Sequence, residues 1–336
     1  MRMGLGLGAL LLICAGLFAP YSPLLAAGCC AVMLIMLAAL DSLWHRLVLR
    51  GGPADQAQTV SSNIIARSPS PTPDPALTIY LMAHHDSKGQ SVSLSLRIIL
   101  IITVLLGCIS YGAVHLATAL SPSYMMWSGS VVCYTVAVVL WFSGIVASLV
   151  LLSARTDNRS PGGLDNAGSV GVLLALADVF RHETFQKVEV VYVSTGAEEL
   201  GLLGAWALVQ EWEEQLVPER TWILNLDLLG VPGTLRLLEG ARLFQRPHSP
   251  YAQIIRRTAS SLAIQMRTQP ILPGALLDHI PFSRKGFHAG SLICTSKRVR
   301  LVHTEKDTID LVEPEGLAEA GRLVESVVRA LDNKPA

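Results

Sequence analysis

Charged residues are scarce in this chain of 336 residues. Lysine and arginine together number 26, aspartate and glutamate number 26, and all four make up 15% of the sequence, against about 25% in an average globular protein. The formal net charge is zero, and no basic run is long enough to follow the phosphates of a nucleic acid. The composition therefore excludes a nucleic-acid partner and indicates that part of the chain lies in lipid.

Cysteine is also rare, with six in the whole chain. One of them, Cys294, lies in the polar part of the sequence. The other five fall in apolar runs: Cys14, Cys29, Cys30, Cys108 and Cys133. A disulfide framework is therefore excluded from the polar part, and no two cysteines have the spacing of a zinc knuckle or a redox motif.

Four apolar runs account for the low charge, and they cover residues 5–19, 24–40, 98–120 and 127–152. Since a helix needs about 17 to 25 apolar residues to cross a bilayer, we expect four transmembrane helices and a multi-pass protein held in a lipid bilayer. They would form one hairpin in residues 1–50 and a second in residues 92–153. The arginines that flank the runs lie on one side of the expected membrane: Arg2, Arg46, Arg50, Arg97, Arg155 and Arg159. By the positive-inside rule the polar domain would be cytoplasmic.

The polar remainder has the pattern of an α/β domain. Short apolar runs alternate with amphipathic segments, which predicts a mostly parallel, mixed sheet flanked by helices. The second hairpin divides this domain, so we expect it to be discontinuous, built from residues 58–91 and 154–336. In such a sheet, ligands bind at the loops that follow the carboxyl ends of the strands.

Five polar residues stand where strand-like runs end or where a helix begins. They are His84, Asp165, Glu199, Asp227 and His303. Two histidines and three carboxylates form a ligand set that suits a pair of zinc ions. Without a cation, converging carboxylates would repel one another by roughly 4 kcal/mol for each close pair at an effective dielectric near 20. The set therefore predicts a metal centre.

Glu198 and Glu199 are neighbours in a strand-turn-helix segment. Adjacent side chains at such a turn diverge, so one carboxylate can bind a metal while the other acts as a general base. The plainer alternative is that glutamates favour the first turn of a helix, where they complement the helix dipole. Asp86, two residues after His84, is placed to hold the His84 imidazole through its carboxylate.

A family resemblance rests on five segments of the sequence, taken in order. They are Ala83-His84-His85-Asp86-Ser87, Gly163-Leu164-Asp165-Asn166-Ala167-Gly168, Ala197-Glu198-Glu199-Leu200-Gly201, Asn225-Leu226-Asp227 and Val302-His303-Thr304. In this order they resemble the zinc aminopeptidases of clan MH, peptidase family M28. The resemblance covers residues 58–91 and 154–332, and the chain would be a membrane-embedded variant.

The resemblance implies a zinc exopeptidase fold and a di-zinc centre in which Asp165 bridges the two ions. His84 and Asp227 would complete one site, and Glu199 and His303 the other. Glu198 would be the general base. The implied activity is the removal of N-terminal residues from peptides by zinc-activated water, and the implied backbone has a cis peptide bond after Asp165.

The sequence departs from the family pattern in one respect. Members often use a tyrosine to stabilise the tetrahedral oxyanion, but Tyr251 is the only tyrosine after Asp227, and it opens a predicted helix. His279 and His288 are possible substitutes, although a loop or capping role is the simpler interpretation of each. The oligomeric state has no signature in the sequence.

Two other functions remain open at this point. The segment Asp278-His279-Ile280-Pro281-Phe282 also resembles the glutaminyl cyclases, so the chain could instead be a glutaminyl-peptide cyclotransferase with one zinc. A third possibility is a membrane scaffold that has kept the fold without the chemistry. The presence of every expected ligand and of the expected base speaks against the scaffold.

Overall fold

The structure is a computed structural model, and it describes residues 2–49, 60–68, 75–121, 123, 128–233, 235–241, 250–271 and 275–333. The chain divides into two compact units. One contains the described residues of Met1–Gly51 together with Gln90–Thr156, and the other contains those of Gly52–Gly89 together with Asp157–Ala336.

The first unit consists of long apolar helices. They are α1 (Arg2–Phe18), α2 (Pro23–Leu49), α3 (Leu94–Leu120) and α4 (Ser128–Ser153). The Ser93 hydroxyl caps the start of α3 by accepting the backbone N–H of Leu96. Inside the bundle, the Trp141 indole N–H donates to the Leu12 carbonyl at 2.9 Å, and the Trp141 ring stacks on Tyr111 with 5.0 Å between ring centroids. Most outward positions of α3 and α4 carry isoleucine, leucine, valine or phenylalanine, as expected of lipid-facing helices.

The predicted number of four membrane spans is not confirmed. Over the described residues, three helical stretches are long and apolar enough to cross a bilayer: Leu94–Leu120, Gly129–Ser153 and Gly163–Phe180. The first two match the predicted second hairpin. In the predicted first hairpin only shorter apolar stretches, Gly6–Phe18 and Pro23–Met36, are described at the level of side chains.

The third stretch, Gly163–Phe180, was not predicted to span a membrane. Within it, α5 (Gly168–Phe180) buries Val172, Leu173, Leu176 and Phe180 in the core of the second unit. The hydropathy of α5 thus reflects a helix packed on a sheet, because an apolar helix of this length is also typical of an α/β core.

The second unit is built on a mixed, seven-stranded sheet, and the predicted fold class is confirmed. Its strands are β1 (Ile64–Arg67), β2 (Leu77–His84), β5 (Val188–Thr195), β6 (Thr221–Asp227), β7 (Leu235–Glu239), β8 (Met266–Pro270) and β9 (His288–Cys294), in the order β1-β5-β2-β6-β9-β7-β8. The pairs β5-β2, β2-β6, β6-β9 and β7-β8 are parallel, and β1-β5 and β9-β7 are antiparallel. Two short strands, β3 (Gly89–Gln90) and β4 (Thr156–Asp157), pair with each other.

Helices cover both faces of this sheet, which explains why its central strands are mostly apolar. On one face the core includes residues of α5, α7 (Pro250–Ser261) and α9 (Pro314–Asp332), and on the other face residues of α6 (Leu203–Trp212) and α8 (His279–Arg284). Along β2 the side chains alternate between the two cores: Ile79 and Leu81 face the first, and Tyr80 and Met82 the second.

One strand at the edge of the seven-stranded sheet, β8, was not predicted. In β8 the sequence Met-Arg-Thr-Gln-Pro lacks apolar alternation, and this strand pairs only with β7 at the edge of the sheet. An edge strand buries little surface, so its sequence does not need the pattern on which strand prediction depends.

Candidate metal centre

The five predicted metal ligands converge at the carboxyl edge of the central strands. His84 ends β2, and Glu198 and Glu199 follow β5. Asp227 ends β6, and these three strands are adjacent in the sheet. The loop after β9, the next neighbour of β6, carries His303, while Asp165 lies in the turn Gly163–Ala167 that leads into α5.

Asp165 stands between two histidines. His84 Nε2 lies 3.1 Å from Asp165 Oδ1 and 3.7 Å from Asp227 Oδ1. His303 Nε2 lies 3.0 Å from Asp165 Oδ2 and 3.0 Å from Glu199 Oε1. One carboxylate thus presents one oxygen to each histidine, which is the arrangement that a bridging ligand requires.

The grouping of ligand atoms by distance gives two sets. One contains His84, Glu198 and Asp227, and the other contains Asp165, Glu199 and His303, with the ligand atoms of each set within 4.8 Å of one another. The first set includes Glu198, which the resemblance assigns to proton transfer. Geometry alone therefore leaves Glu198 able to reach a metal, although Asp165 Oδ1 can take that place beside His84.

The tautomer of His84 follows from its hydrogen bond. His84 Nδ1 lies 3.0 Å from the carbonyl oxygen of Asp86. A carbonyl can only accept, so Nδ1 carries a proton, and in the neutral ring, the form that binds a metal, the Nε2 lone pair points toward the carboxylates of Asp165 and Asp227. An acceptor facing two further acceptors needs a cation between them, and this is the geometry of a metal-binding histidine.

Asp86 acts differently from the sequence-based expectation. Its carboxylate lies 3.7 Å from His84 Nδ1, and the hydrogen bond goes to its backbone carbonyl instead. The carboxylate accepts two consecutive backbone N–H groups, those of Glu198 and Glu199, each at 3.0 Å. The side chain of Asp86 thus fixes the turn that holds both glutamates.

Asp307 holds the opposite side of the centre in the same way, and no sequence pattern indicates this role. Its fully buried carboxylate accepts the backbone N–H of Leu164 at 2.8 Å and that of Asp165 at 3.3 Å. Its carbonyl oxygen accepts the N–H of Gly163 at 2.8 Å. Asp307 belongs to the loop of His303, so it ties the loops of two metal ligands together.

The peptide bond between Asp165 and Asn166 is cis, as the resemblance implied. The Asn166 amide group donates to the carbonyl of Leu226 at 3.1 Å and accepts the N–H of Leu228 at 3.2 Å. These bonds connect the turn at Asp165 to the residues immediately before and after Asp227.

Burial and charge shift the pKa values of the centre in opposite directions. Burial alone lowers the pKa of both histidines, but Glu198, Asp165 and Asp227 raise that of His84 well above its ordinary value. Asp165 and Glu199 likewise raise the pKa of His303 to about 9. In the metal-free protein the histidines therefore carry protons that compensate the carboxylates.

The pKa of the Glu198 carboxyl group is also shifted. Burial raises its pKa well above the ordinary value, and the charges of Asp278 and Asp227 add to this effect while His84 opposes it. Asp278 is fully buried, and burial raises its pKa to about 7. The Thr195 hydroxyl donates to the Asp278 carboxylate, which anchors Asp278 at the end of β5.

The residues present fit a zinc pair. Imidazole nitrogens and carboxylate oxygens are common zinc ligands, and the two sets share one carboxylate. Glu199 Oε1 is buried and faces His303 Nε2 at 3.0 Å, and a buried charged oxygen of this kind requires a counter-charge. The histidine nitrogens that face the carboxylates are the atoms a metal ion would take.

A lysine that sequence reasoning missed contacts this centre. Lys88 Nζ lies 2.6 Å from Glu199 Oε2 and donates to the Glu199 carbonyl oxygen at 2.9 Å. The Lys88 side chain is 21% exposed and that of Glu199 only 5%. A single lysine in a loop has no periodic pattern, so the sequence gives no sign of this contact.

The three candidates for stabilising an oxyanion do not take that position. The Tyr251 ring stacks on Trp222 in the core, with 4.7 Å between centroids, and the His288 ring packs against Tyr251. His279 is fully buried, with Nδ1 2.7 Å from the Ser291 hydroxyl and Nε2 3.0 Å from the Gly240 carbonyl. Burial lowers the pKa of His279 to about 4, so it is a neutral structural residue.

The chain belongs to peptidase family M28, whose family model matches residues 139–328, more than half of its length. The matched range includes Asp165, Glu198, Glu199, Asp227 and His303 and begins after His84.

The chain is similar to characterised proteins over part of its length. It is 30% identical over 192 residues to the aminopeptidase YwaD of Bacillus subtilis, a match that covers 54% of this chain and 40% of that protein. It resembles the structure of BSAP, a zinc aminopeptidase from Bacillus subtilis, with a TM-score of 0.51 and 21% identity over 80% of this chain and 50% of that one. An aminopeptidase from Aneurinibacillus sp. gives a TM-score of 0.51 at 19% identity, over 80% of this chain and 47% of that one. The chain thus spans about half the length of these relatives or less, and the structural matches establish the fold.

Proposed function

We propose that this protein is a membrane-bound aminopeptidase that hydrolyses N-terminal residues of peptides at a di-zinc centre. The observation that carries the proposal is the position of Asp165, whose two carboxylate oxygens lie 3.1 Å and 3.0 Å from the Nε2 atoms of His84 and His303. Membership in a peptidase family and similarity to aminopeptidases support the reaction class.

In this proposal His84, Asp165 and Asp227 hold one zinc ion, and Asp165, Glu199 and His303 hold the other. Three carboxylates and two neutral imidazoles then face four positive charges, which leaves room for an anionic group of the substrate or solvent. Bound zinc would polarise the peptide carbonyl and lower the pKa of a water molecule.

Glu198 is the general base. Its carboxyl group is buried, and this burial raises its pKa above the ordinary value, which makes it a stronger base than an exposed glutamate. In the ionised form it takes a proton from the attacking water and then passes it to the nitrogen of the leaving peptide. Asp86 supports this role because its carboxylate holds the backbone N–H of Glu198 and that of Glu199.

The apolar helices anchor the enzyme in a bilayer. The length and composition of α3 and α4 suit membrane spans, and the two apolar helices before them complete a set of four in this proposal. The catalytic domain combines residues 58–91 and 154–336, and the arginine distribution favours its location in the cytoplasm.

The function is tested with full-length protein purified in detergent. We expect about two zinc ions per chain and the release of free amino acids from unblocked peptides, with no reaction on N-acetylated peptides. Conversion of N-terminal glutaminyl peptides into cyclised products without release of an amino acid would instead establish the cyclotransferase. Protein that binds no zinc and cleaves none of the peptides would contradict both enzymatic functions.

Sidedness is tested by cysteine labelling in intact cells. An impermeant thiol reagent should label a cysteine introduced at Ser123, between α3 and α4, and should leave one at the exposed Lys306 unlabelled until the cells are opened. The opposite pattern would place the catalytic domain outside.

A further inference from the structure

The two halves of the centre have different surroundings. His84 Nδ1 donates to the Asp86 carbonyl, whereas His303 Nδ1 is buried and has no hydrogen-bond partner among the described residues. The His84 side chain is 1% exposed and that of His303 14% exposed. A partner on the second ring nitrogen orients a ligating histidine and raises its basicity, so the His303 half lacks a support that the His84 half has.

Lys88 adds a second difference, and it also falls on the His303 half. Its ammonium group contacts Glu199 Oε2 and the Glu199 carbonyl, which leaves Oε1 as the oxygen that faces His303. Glu199 can then offer a metal one oxygen only. In the other half of the centre, none of the ion pairs of the described residues joins a lysine or arginine to His84 or Asp227.

We propose that Lys88 is a positioning residue that weakens zinc binding at the Asp165–Glu199–His303 site, so that the two sites fill at different zinc concentrations. A positive charge on the far side of a ligating carboxylate opposes a cation on the near side, because like charges repel across a poorly screened interior. It also neutralises part of the negative charge that Glu199 would give to the ion.

The hydrogen bond from Lys88 to Glu199 has an effect on metal affinity that opposes the effect of its charge. Loss of a hydrogen-bond partner can loosen a ligand and lower metal affinity. Here the Glu199 backbone is held independently by the Asp86 carboxylate at 3.0 Å, and the 5% exposure of its side chain leaves little room for other rotamers. The charge of Lys88 therefore has the larger effect, and its removal strengthens the site.

The role of Lys88 presupposes the di-zinc centre proposed above, so the experiment measures zinc binding in full-length protein in detergent. The chain is stripped with a chelator, titrated with Zn²⁺ against a competing chelator, and its zinc content is counted by atomic emission. His303→Ala reports the His84 half alone, and His84→Ala reports the other half alone. We expect two binding steps in the wild-type chain.

Three substitutions of Lys88 separate charge from hydrogen bonding. Lys88→Met removes both, Lys88→Gln removes the charge but keeps a donor, and Lys88→Arg keeps both. We expect Met and Gln to tighten the second step about tenfold, equivalent to about 1.4 kcal/mol, and Arg to leave it unchanged. In excess chelator the Met variant should also melt at a lower temperature than wild type, because Glu199 loses its counter-ion.

The two proposals fail in different ways. A wild-type chain that binds no zinc would contradict the proposed function. Two clear steps in the wild type, with the second step unchanged or weakened in both Lys88→Met and Lys88→Gln, would overturn the role of Lys88 and leave the zinc centre standing.

Discussion

The buried carboxylate of Asp307 accepts the backbone N–H of Asp165 at 3.3 Å, across 142 positions of sequence. The same carboxylate accepts the preceding N–H, that of Leu164, at 2.8 Å. The loop that carries His303 therefore determines where Asp165, the shared ligand of the two proposed metal sites, can lie.

This relationship predicts the effect of Asp307→Asn. The asparagine amide keeps one acceptor oxygen, but its NH₂ group would face a backbone N–H. Because two donors repel each other, the backbone around Asp165 should shift. We expect zinc affinity at both sites to fall by about 10- to 100-fold, the usual effect of losing such a support. Zinc retained after dialysis against a weak chelator measures this. The exposed Asp310→Asn, with the same chemical change on the same loop, is the control, and equal zinc loss in both variants would contradict the assignment.

Glu198 and Glu199 should respond differently to the same substitution. Glu198→Gln removes the proposed base and should keep both zinc ions while turnover falls by about 10²- to 10⁴-fold. Glu199→Gln should weaken the ion held with His303. Zinc analysis and peptide hydrolysis on the same preparations separate the two roles. If Glu198→Gln loses zinc as Glu199→Gln does, Glu198 is a ligand, as its place beside His84 and Asp227 allows.

Much of this centre was predictable from sequence because its ligands follow apolar strands. A mostly apolar strand that ends in a histidine or a carboxylate indicates both the sheet and the edge where ligands meet, as β2 does with His84 and β6 with Asp227. Lys88 and Asp307 lay beyond such reasoning, because each acts through one contact between loops far apart in the chain. The two hydrogen bonds that the Asp86 carboxylate accepts from Glu198 and Glu199 were not predicted either, since its direction depends on the backbone of the turn after β2.

The raised pKa of His303 predicts how zinc binding and stability depend on pH. Although burial lowers it, Asp165 and Glu199 raise this pKa to about 9 from an ordinary value of 6.5. Zinc must displace that proton, so apparent affinity at this site should rise by up to about tenfold for each pH unit until about pH 9.

The metal-free protein should show the matching change in stability. A histidine with a raised pKa stabilises the fold fully below pH 6.5, and this contribution is lost as pH rises through 9. The melting temperature of chelator-treated protein should therefore fall over that range, whereas that of the zinc-loaded protein should change less. A metal-free melting temperature that rises between pH 6.5 and 9 would show that His303 is not protonated beside these carboxylates.

Gly107 lies where α3 packs against α4. A Cβ atom added at Gly107 in α3 would lie 2.4 Å from the carbonyl oxygen of Leu140 and 3.1 Å from the Cα of Trp141, and small residues at such crossings let two membrane helices approach closely. Gly107→Ala should push the helices apart and lower the stability of the helical unit by about 1 to 3 kcal/mol. Gly129 in α4 has open space where its Cβ would lie, so Gly129→Ala should be neutral or slightly stabilising, since alanine favours a helix over glycine by about 1 kcal/mol. Thermal unfolding in detergent compares the two variants. If Gly107→Ala is as stable as Gly129→Ala, α3 and α4 do not cross closely at this position in the membrane-bound protein.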